Sequence, residues 1–143
     1  MSQKFKLVYL VHREGLTSVV QSQVLRLLTR LKGIAECQVI FTLPVGHWLR
    51  PNLRKENFRQ FGLSQEQFGI NMTLVPVAPN SRWVWPEITL LRRELRRISR
   101  NGPILLQCRN STATGIGLKL ARSAMNVRVI FDARGAEPEE LIQ

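Results

Sequence analysis

Short apolar runs, each about the length of a β-strand, alternate along the chain with stretches of helical periodicity. The first run, residues 5–12 (FKLVYLVH), is almost continuously apolar, which is typical of a strand buried on both faces of a parallel sheet. Later runs predict further strands over residues 38–43, 71–77, 104–108 and 127–131. The spacing between these runs leaves room for a helix after each of the first four strands.

Helical periodicity fills most of those gaps. Val20, Val24 and Leu28 recur on one face of a helix that Thr17 or Ser18 can cap. Weaker patterns predict helices over residues 52–61 and 87–99, and a last one that begins near Ser111 or Thr112 and ends near residue 125. The sequence therefore predicts an α/β domain over residues 1–143, a Rossmann-like wound parallel sheet of five strands in the order 3-2-1-4-5 with helices on both faces.

In that strand order the winding direction reverses between the first and the fourth strand. Ligands of such sheets bind outside the carboxyl ends of the strands at the reversal point. The loops over residues 13–18 and 109–112 are expected to flank a crevice there. Candidate ligand-binding residues are therefore sought at strand ends.

Small residues and arginines stand at these strand ends. Gly15 gives the first loop a free backbone near a helix start, where an anion can bind, although a tight turn explains the same pattern. Arg109 and Arg134 each follow a predicted strand, and a guanidinium there can hold phosphate or sugar oxygens. The alternative for both arginines is an ion pair that ties loops together.

Two further polar residues end strands near the same crevice. His12 can act as an acid, a base or a partner of a sugar hydroxyl, or it can be structural. Asp132 can orient Arg134 or a sugar hydroxyl, or it can cap the end of its strand. No nucleophile and base, and no carboxylate pair, stand at a catalytic spacing, so no catalytic residue is assigned.

Composition narrows the classes of function. Lys and Arg number 21 against 10 Asp and Glu, a net charge of +11 that favours an anionic partner such as nucleic acid, a membrane surface or a phosphorylated substrate. No Gly-x-Gly-x-x-Gly sequence opens a helix, and no Gly-Lys-Ser/Thr loop is present, which argues against dinucleotide and NTPase sites. Cys37 and Cys108 have no metal-ligand spacing and are expected to be buried thiols in a reducing, cytoplasmic compartment.

The helix around residues 91–100 (LRRELRRISR) concentrates positive charge. Leu91, Leu95 and Ile98 form its apolar stripe, and its arginines share the remaining surface. The proposed anionic or membrane patch consists of Arg92, Arg93, Arg96, Arg97 and Arg100 with the preceding Trp83 and Trp85. A patch of this kind would place the protein peripherally on the inner face of a membrane; an arginine face that is merely solvated is the alternative.

With these residues noted, the chain resembles the N-terminal domain of family-4-like glycosyltransferases of the GT-B architecture. The resemblance covers most of the chain and is clearest in its opening strand, glycine and helix (LVYLVHREGLTSVV). It is also clear in a closing block of strand, Arg109, helix, strand and Asp-x-Arg-Gly, which is Asp132-Ala133-Arg134-Gly135 here. The sequence departs from the family at Gln107, near which the family often has a histidine.

The resemblance implies transfer of a sugar from a nucleotide-sugar to an acceptor, with retention of configuration and without a metal or other cofactor. The N-terminal domain would bind a saccharide or lipid-linked acceptor, and a C-terminal domain would bind most of the donor. Gly15, Arg109, Arg134 and His12 would then face the cleft. Pro138 followed by Glu139 and Glu140 suits the start of another helix, so we expect the chain to be a fragment that lacks this second domain.

A different class of function is a non-catalytic basic α/β module that binds nucleic acid or an anionic membrane. Its basis is the net charge of +11 and the arginine-rich helix. The sequence has no RNA-binding signature and no recognition-helix pattern, so nucleic acid is the less favoured partner.

Overall fold

Five parallel strands form a single sheet in the order β3-β2-β1-β4-β5. The computed structural model describes residues 4–78, 84–100, 102–122 and 126–132. The strands are β1 (Phe5–His12), β2 (Ala35–Pro44), β3 (Asn71–Val77), β4 (Ile104–Cys108) and β5 (Val127–Phe131). The predicted α/β wound sheet and its strand order are thereby confirmed.

Helices connect the strands. They are α1 (Ser18–Val20), which continues through a π-helical turn (Gln21–Leu25) into α2 (Arg26–Leu31), then α3 (Gly46–Leu49), α4 (Pro51–Phe68), α5 (Val84–Ser99) and α6 (Ser111–Ala121). No helix in the described ranges is long and apolar enough to cross a membrane.

The sheet has a separate apolar cluster on each face, because successive residues of a strand point to opposite sides. On one face, Val8 and Leu10 of β1 pack beneath the apolar stripe of α5 and beneath α6. On the other face, Tyr9 and Val11 pack beneath the helical segment from α1 to α2 and beneath Phe61 of α4. Helices on both faces, as predicted, leave the strand ends as the place where loops can form a site.

Four predicted boundaries were wrong by three residues or more, and one of them is the end of the last helix, which lies at Ala121 rather than near residue 125. Strand β2 begins at Ala35 rather than at residue 38, because its first residues pair in register with Phe5 to Leu7 of β1 despite the polar Glu36. Helix α4 extends to Phe68, beyond the predicted residue 61, and ends at Gly69 with a φ of 64°. Helix α5 begins at Val84, three residues before the predicted start.

The predicted caps of the last helix were also wrong. Asn110, rather than Ser111 or Thr112, is the N-cap of α6, and its side-chain Oδ1 accepts a hydrogen bond from the amide of Ala113 at 2.7 Å. An asparagine carbonyl reaches the free amides of a first helical turn as well as a hydroxyl does. The cap at the start of α1 was predicted correctly, since Thr17 Oγ1 accepts from the amide of Val20.

Candidate functional site

The β1–α1 and β4–α6 loops meet at the carboxyl end of the sheet, where the winding direction reverses. Strands β1 and β4 are hydrogen-bonded neighbours, with Leu10 opposite Cys108 near their carboxyl ends. An ion pair joins the two loops, with Nε of Arg109 3.1 Å from Oε2 of Glu14. The predicted juxtaposition of these loops is therefore observed. We refer to the space beside them as the crevice.

Arg109 is held at the edge of this crevice. Its side chain is 15% exposed and that of Glu14 is 37% exposed, so the pair is accessible to solvent on the glutamate side. Asn110, the next residue, caps α6, so Arg109 stands beside the positive end of an eleven-residue helix. Arg109 thus forms an ion pair that connects two loops, which is the alternative stated for it above. Its guanidinium still lies where an anion can contact it.

His12 is buried beneath the first loop and is engaged on both ring nitrogens. Its Nδ1 lies 2.8 Å from Oγ1 of Thr42, and its Nε2 accepts a hydrogen bond from Nε of Arg13 at 3.3 Å. Because Nε2 accepts, the proton of the neutral ring is on Nδ1 and is donated to Thr42. Burial, assisted by the positive charge of Arg13, lowers the pKa of His12 from 6.5 to about 4. Both ring nitrogens of His12 are therefore engaged in this arrangement, and the lowered pKa favours the neutral ring.

Arg13 connects the first loop to α5. Its Nη2 donates to Oε1 of Glu87 at 2.7 Å, and the glutamate side chain is only 3% exposed. Burial raises the pKa of Glu87, and the positive charge and hydrogen bond of Arg13 act against that rise. The Arg13 backbone has a φ of 59°, and its amide donates to the carbonyl and to Oγ1 of Thr42. A non-glycine residue in this left-handed region is strained, and such residues are concentrated at functional sites.

The carboxylate of Asp132 is hydrogen-bonded to side chains of two strands of the sheet. Its Oδ2 accepts hydrogen bonds from the hydroxyl of Tyr9 at 2.5 Å and from Nε2 of Gln107 at 3.1 Å. Its amide donates to the carbonyl of Cys108 at 2.8 Å. Tyr9 and Gln107 are register partners on β1 and β4, so this buried carboxylate connects β1, β4 and the residue after β5. Gln107 thus helps to hold that carboxylate.

Gly15 lies in the first loop with space around it. A Cβ atom built on Gly15 would meet no atom within 4 Å, and its carbonyl accepts from the amide of Thr17 at 2.9 Å. Its φ is not positive, so the turn itself does not require glycine. The lack of a side chain at Gly15 therefore leaves open space beside this loop.

Several predicted site residues lie outside the described residues. They are Arg134 and Trp83, together with the side chain of Trp85, whose backbone belongs to α5. The contact expected between Asp132 and Arg134 falls in the same part of the chain.

The arginine face of α5 is exposed and distant from the crevice. Leu91, Leu95 and Ile98 are buried, as the apolar stripe predicted. An open groove of about 520 Å³ runs along the other side of the helix and is lined by Thr89, Arg92, Arg93, Glu94, Arg96, Arg97 and Arg100. Glu87 in the first turn of the helix bonds to Arg13 beside the crevice, whereas the carbonyl of Ile98 accepts from Nζ of Lys6 near the amino end of β1. The last arginines of α5 therefore lie at the opposite end of the sheet from the crevice.

The ion pair between Arg13 and Glu87 was not predicted from the sequence, although the sequence contains one signal for it. Glu87 lies four residues before Leu91 and is therefore in register with the apolar stripe of α5, where a charged residue needs a buried partner. Its partner Arg13 lies 74 residues away, and no local pattern identifies it. The involvement of Thr42 had no signal either, since it stands within an apolar run.

The described residues contain no group of three or more His, Cys, Asp or Glu side chains placed to hold a metal ion. No protein-family model matches the chain, and no curated protein matches it.

Proposed function

We propose that the chain is the acceptor-side domain of a glycosyltransferase that moves a sugar from a nucleotide-sugar to a saccharide or lipid-linked acceptor. The observation that carries the proposal is the pairing of Arg109 with Glu14, which joins the β1–α1 and β4–α6 loops across the reversal point of the sheet. The wound sheet is compatible with the family that the sequence resembles. Fold alone does not specify function, so the proposal depends on the crevice.

In this proposal the crevice binds a ligand and need not carry out proton transfer. Its histidine is neutral and bonded on both sides, and Asp132 is bound to Tyr9 and Gln107. The groups suited to meet a ligand are the guanidinium of Arg109 and the open backbone at Gly15. Arg134 is included because of the resemblance. A donor-binding domain would supply the remaining contacts to the nucleotide-sugar.

The proposal is tested in two steps. Backbone amide NMR of the 143-residue chain is recorded during titration with uridine- and guanosine-diphosphate hexoses and with saccharide acceptors. We expect shifts confined to the loops at Glu14 to Thr17 and Arg109 to Asn110. The product of the complete gene is then assayed for release of nucleoside diphosphate from the same donors. Absence of release with every donor and acceptor, in a folded protein, would exclude the proposed activity.

Arg134 gives the sharper variant for the turnover assay. Arg134→Ala is expected to reduce sugar transfer without lowering the melting temperature of the protein. Arg128→Ala is the matched control, because this exposed arginine lies on β5 only a few residues earlier. Equal transfer rates in both variants and the wild type would remove Arg134 from the site.

A second function, binding of an anionic membrane surface or nucleic acid, is favoured by the exposed arginine face of α5. Arg93, Arg96, Arg97 and Arg100 are exposed there, and Glu94 pairs with Arg97 at 3.1 Å. This surface can operate together with a lipid-linked acceptor or without any catalysis. Several cationic side chains on one helix face attract phosphate groups in a strongly salt-dependent manner.

The test measures sedimentation with vesicles containing phosphatidylglycerol, and fluorescence anisotropy with labelled RNA and DNA, over a series of salt concentrations. Arg93→Glu with Arg96→Glu is expected to abolish vesicle binding. Arg26→Glu with Arg30→Glu is the control, since it reverses the same charge on α2, which packs on the other face of the sheet. Vesicle binding that is absent, or equal in both double variants, would reject this function.

A further inference from the structure

Two neighbouring residues of the first loop, one basic and one acidic, each form an ion pair, and the two glutamates of these pairs differ greatly in burial. Arg13 pairs with Glu87, whose side chain is 3% exposed, whereas Glu14 pairs with Arg109 while remaining 37% exposed. The first pair holds the loop backbone against α5, with further hydrogen bonds from the amide of Arg13 to Thr42. The second pair is therefore free to open by rotation of the Glu14 side chain alone.

The surroundings of Arg109 suit an anion. Its side chain is only 15% exposed, so water screens its charge less than that of a fully exposed arginine. It follows a buried strand and precedes the cap of α6, whose first turn carries partial positive charge. Within the described ranges, the carboxylate of Glu14 is the one acidic group that forms an ion pair with Arg109.

We propose that Arg109 is a binding site for a phosphate group and that Glu14 is a built-in competitor which the phosphate displaces. The carboxylate of Glu14 carries a single charge and makes one contact with Nε of Arg109 at 3.1 Å. A phosphate group offers three or more acceptor oxygens and up to two charges, and the planar fork of a guanidinium binds it through two parallel donors. Ligands that carry a phosphate or diphosphate are thus favoured over neutral sugars and monocarboxylates.

The strength of the competition follows from the exposure of the pair. Ion pairs that are partly open to water contribute at most about 1 kcal/mol, which corresponds to about a fivefold change in a binding constant. Glu14 therefore weakens phosphate binding by at most about fivefold and does not prevent it. This factor applies equally to every ligand of Arg109, so the preference for phosphate comes from the guanidinium and not from Glu14.

The experiment measures the dissociation constants of inorganic phosphate and pyrophosphate by calorimetry and by amide NMR shifts. Glu14→Gln is expected to bind pyrophosphate more tightly than the wild type, by up to about fivefold. Arg109→Gln is expected to lose this binding, and Glu14→Gln is expected not to restore it in the double variant. Glu36→Gln is the matched control, because it removes the same charge from an exposed position near the amino end of β2.

Glu14→Gln that binds no more tightly than Glu36→Gln would overturn the role of Glu14. Arg109→Gln that binds like the wild type would overturn the site. If thermal melting shows that Arg109→Gln is unfolded, Arg109→Lys replaces it; this variant keeps the charge but loses the fork, and weakened pyrophosphate binding is expected.

The inference rests on the proposed function in placing the ligand at the crevice, but its test does not require sugar transfer. Tight pyrophosphate binding by the chain, with no turnover of nucleotide-sugars by the product of the complete gene, would support the phosphate site and reject the glycosyltransferase. Wild-type pyrophosphate binding in Arg109→Gln, with sugar transfer retained by the product of the complete gene, would reject the phosphate site and leave the enzyme class standing.

Discussion

Nη2 of Arg13 lies 2.7 Å from Oε1 of Glu87, so the first loop of the sheet is bonded to the first turn of a helix 74 residues further along the chain. The glutamate is almost completely buried and the arginine is 24% exposed. Removing a buried charge from water is costly unless its partner remains in place. This pair therefore fixes the loop that carries Glu14 and Gly15.

Loss of the Arg13 side chain should destabilise the protein. Arg13→Ala is expected to lower the free energy of unfolding by about 2 kcal/mol or more, because Glu87 would remain buried without its cation. Arg13→Gly should be less damaging by about 1 kcal/mol, since glycine adopts a φ of 59° without the strain of a Cβ atom. Denaturant unfolding of both variants provides the measurement. Equal stability of the two variants would contradict the assignment of strain to this position.

A double variant separates the contribution of the ion pair to stability from that of the backbone strain at Arg13. Arg13→Gly combined with Glu87→Met is expected to be more stable than Arg13→Gly alone, because methionine needs no cation when buried among the apolar residues beneath α5. A double variant less stable than the single one would mean that Glu87 has another essential partner.

His12 should make stability fall in mild acid. Its pKa is about 4 in the folded protein and 6.5 in the unfolded chain, so the unfolded state binds the proton more readily. Stability is fully present above pH 6.5 and is lost as the pH falls towards 4, by up to about 3 kcal/mol in total. Denaturant unfolding measured across this range should show a shallower pH dependence for His12→Gln than for the wild type.

Glu87 has the opposite effect on stability over part of that pH range. Its pKa is higher in the folded protein than in the unfolded chain, so its protonation as the pH falls favours the folded state. Glu87→Gln is therefore expected to show a steeper loss of stability in acid than the wild type. Identical pH profiles for His12→Gln and the wild type would show that folding does not lower the pKa of His12.

Gly117 should tolerate no larger residue, in contrast to Gly115 on the same helix. A Cβ built on Gly117 would lie 2.8 Å from Sγ of Cys108 and 3.4 Å from side-chain atoms of Leu106 and Val129, whereas one on Gly115 meets nothing within 4 Å. Gly115→Ala is expected to stabilise the protein by up to about 1 kcal/mol through helix propensity. Gly117→Ala is expected to destabilise it by about 1–2 kcal/mol, because overpacking outweighs that gain.

The conflict at Gly117 can be attributed to one atom by a double-mutant cycle. Cys108→Ala should recover most of the stability lost in Gly117→Ala, although it is destabilising in the wild-type background. Additive effects of the two substitutions would show that the contact with Sγ does not cause the loss.

The thiol of Cys108 should be inert in the folded protein. It has no exposed surface, and burial raises its pKa to about 12, so almost no thiolate is present near neutral pH. Burial also raises the pKa of Cys37, whose exposure is 8%. Iodoacetamide at pH 8 should therefore modify Cys37 slowly and Cys108 only on unfolding, as peptide mass spectrometry would reveal. Rapid labelling of Cys108 in a folded sample would contradict this packing.

Sequence periodicity was sufficient for the sheet because strand burial is a local property. The runs at residues 5–12, 71–77, 104–108 and 127–131 match strands β1, β3, β4 and β5 in both boundaries. Strand β1 is buried on both faces and is apolar along almost its whole length, whereas the edge strand β5 was recognised from its consecutive β-branched residues although most of it is exposed or half-buried. The start of β2 was missed because Glu36 interrupts the run, and pairing with β1 decides its inclusion.

The crevice residues were partly predictable, because position at a strand end is local but the choice of partner is not. Arg109 and Gly15 were found from their places after strands, and the meeting of their loops followed from the strand order. The roles of Arg13, Thr42 and Glu87 were not found. Each depends on which groups the crossovers bring within 3 Å, and neither spacing nor composition encodes that distance.

The sequence by itself determined the parallel sheet, its strand order and the apolar stripe of α5, because burial imposes a period on neighbouring residues. Only the tertiary structure decided that His12 is neutral, that Asp132 binds Tyr9 and that Glu14 covers Arg109. Protonation states and ion pairs follow from desolvation and from the positions of charges that are distant in sequence, and those are fixed only when the chain is folded.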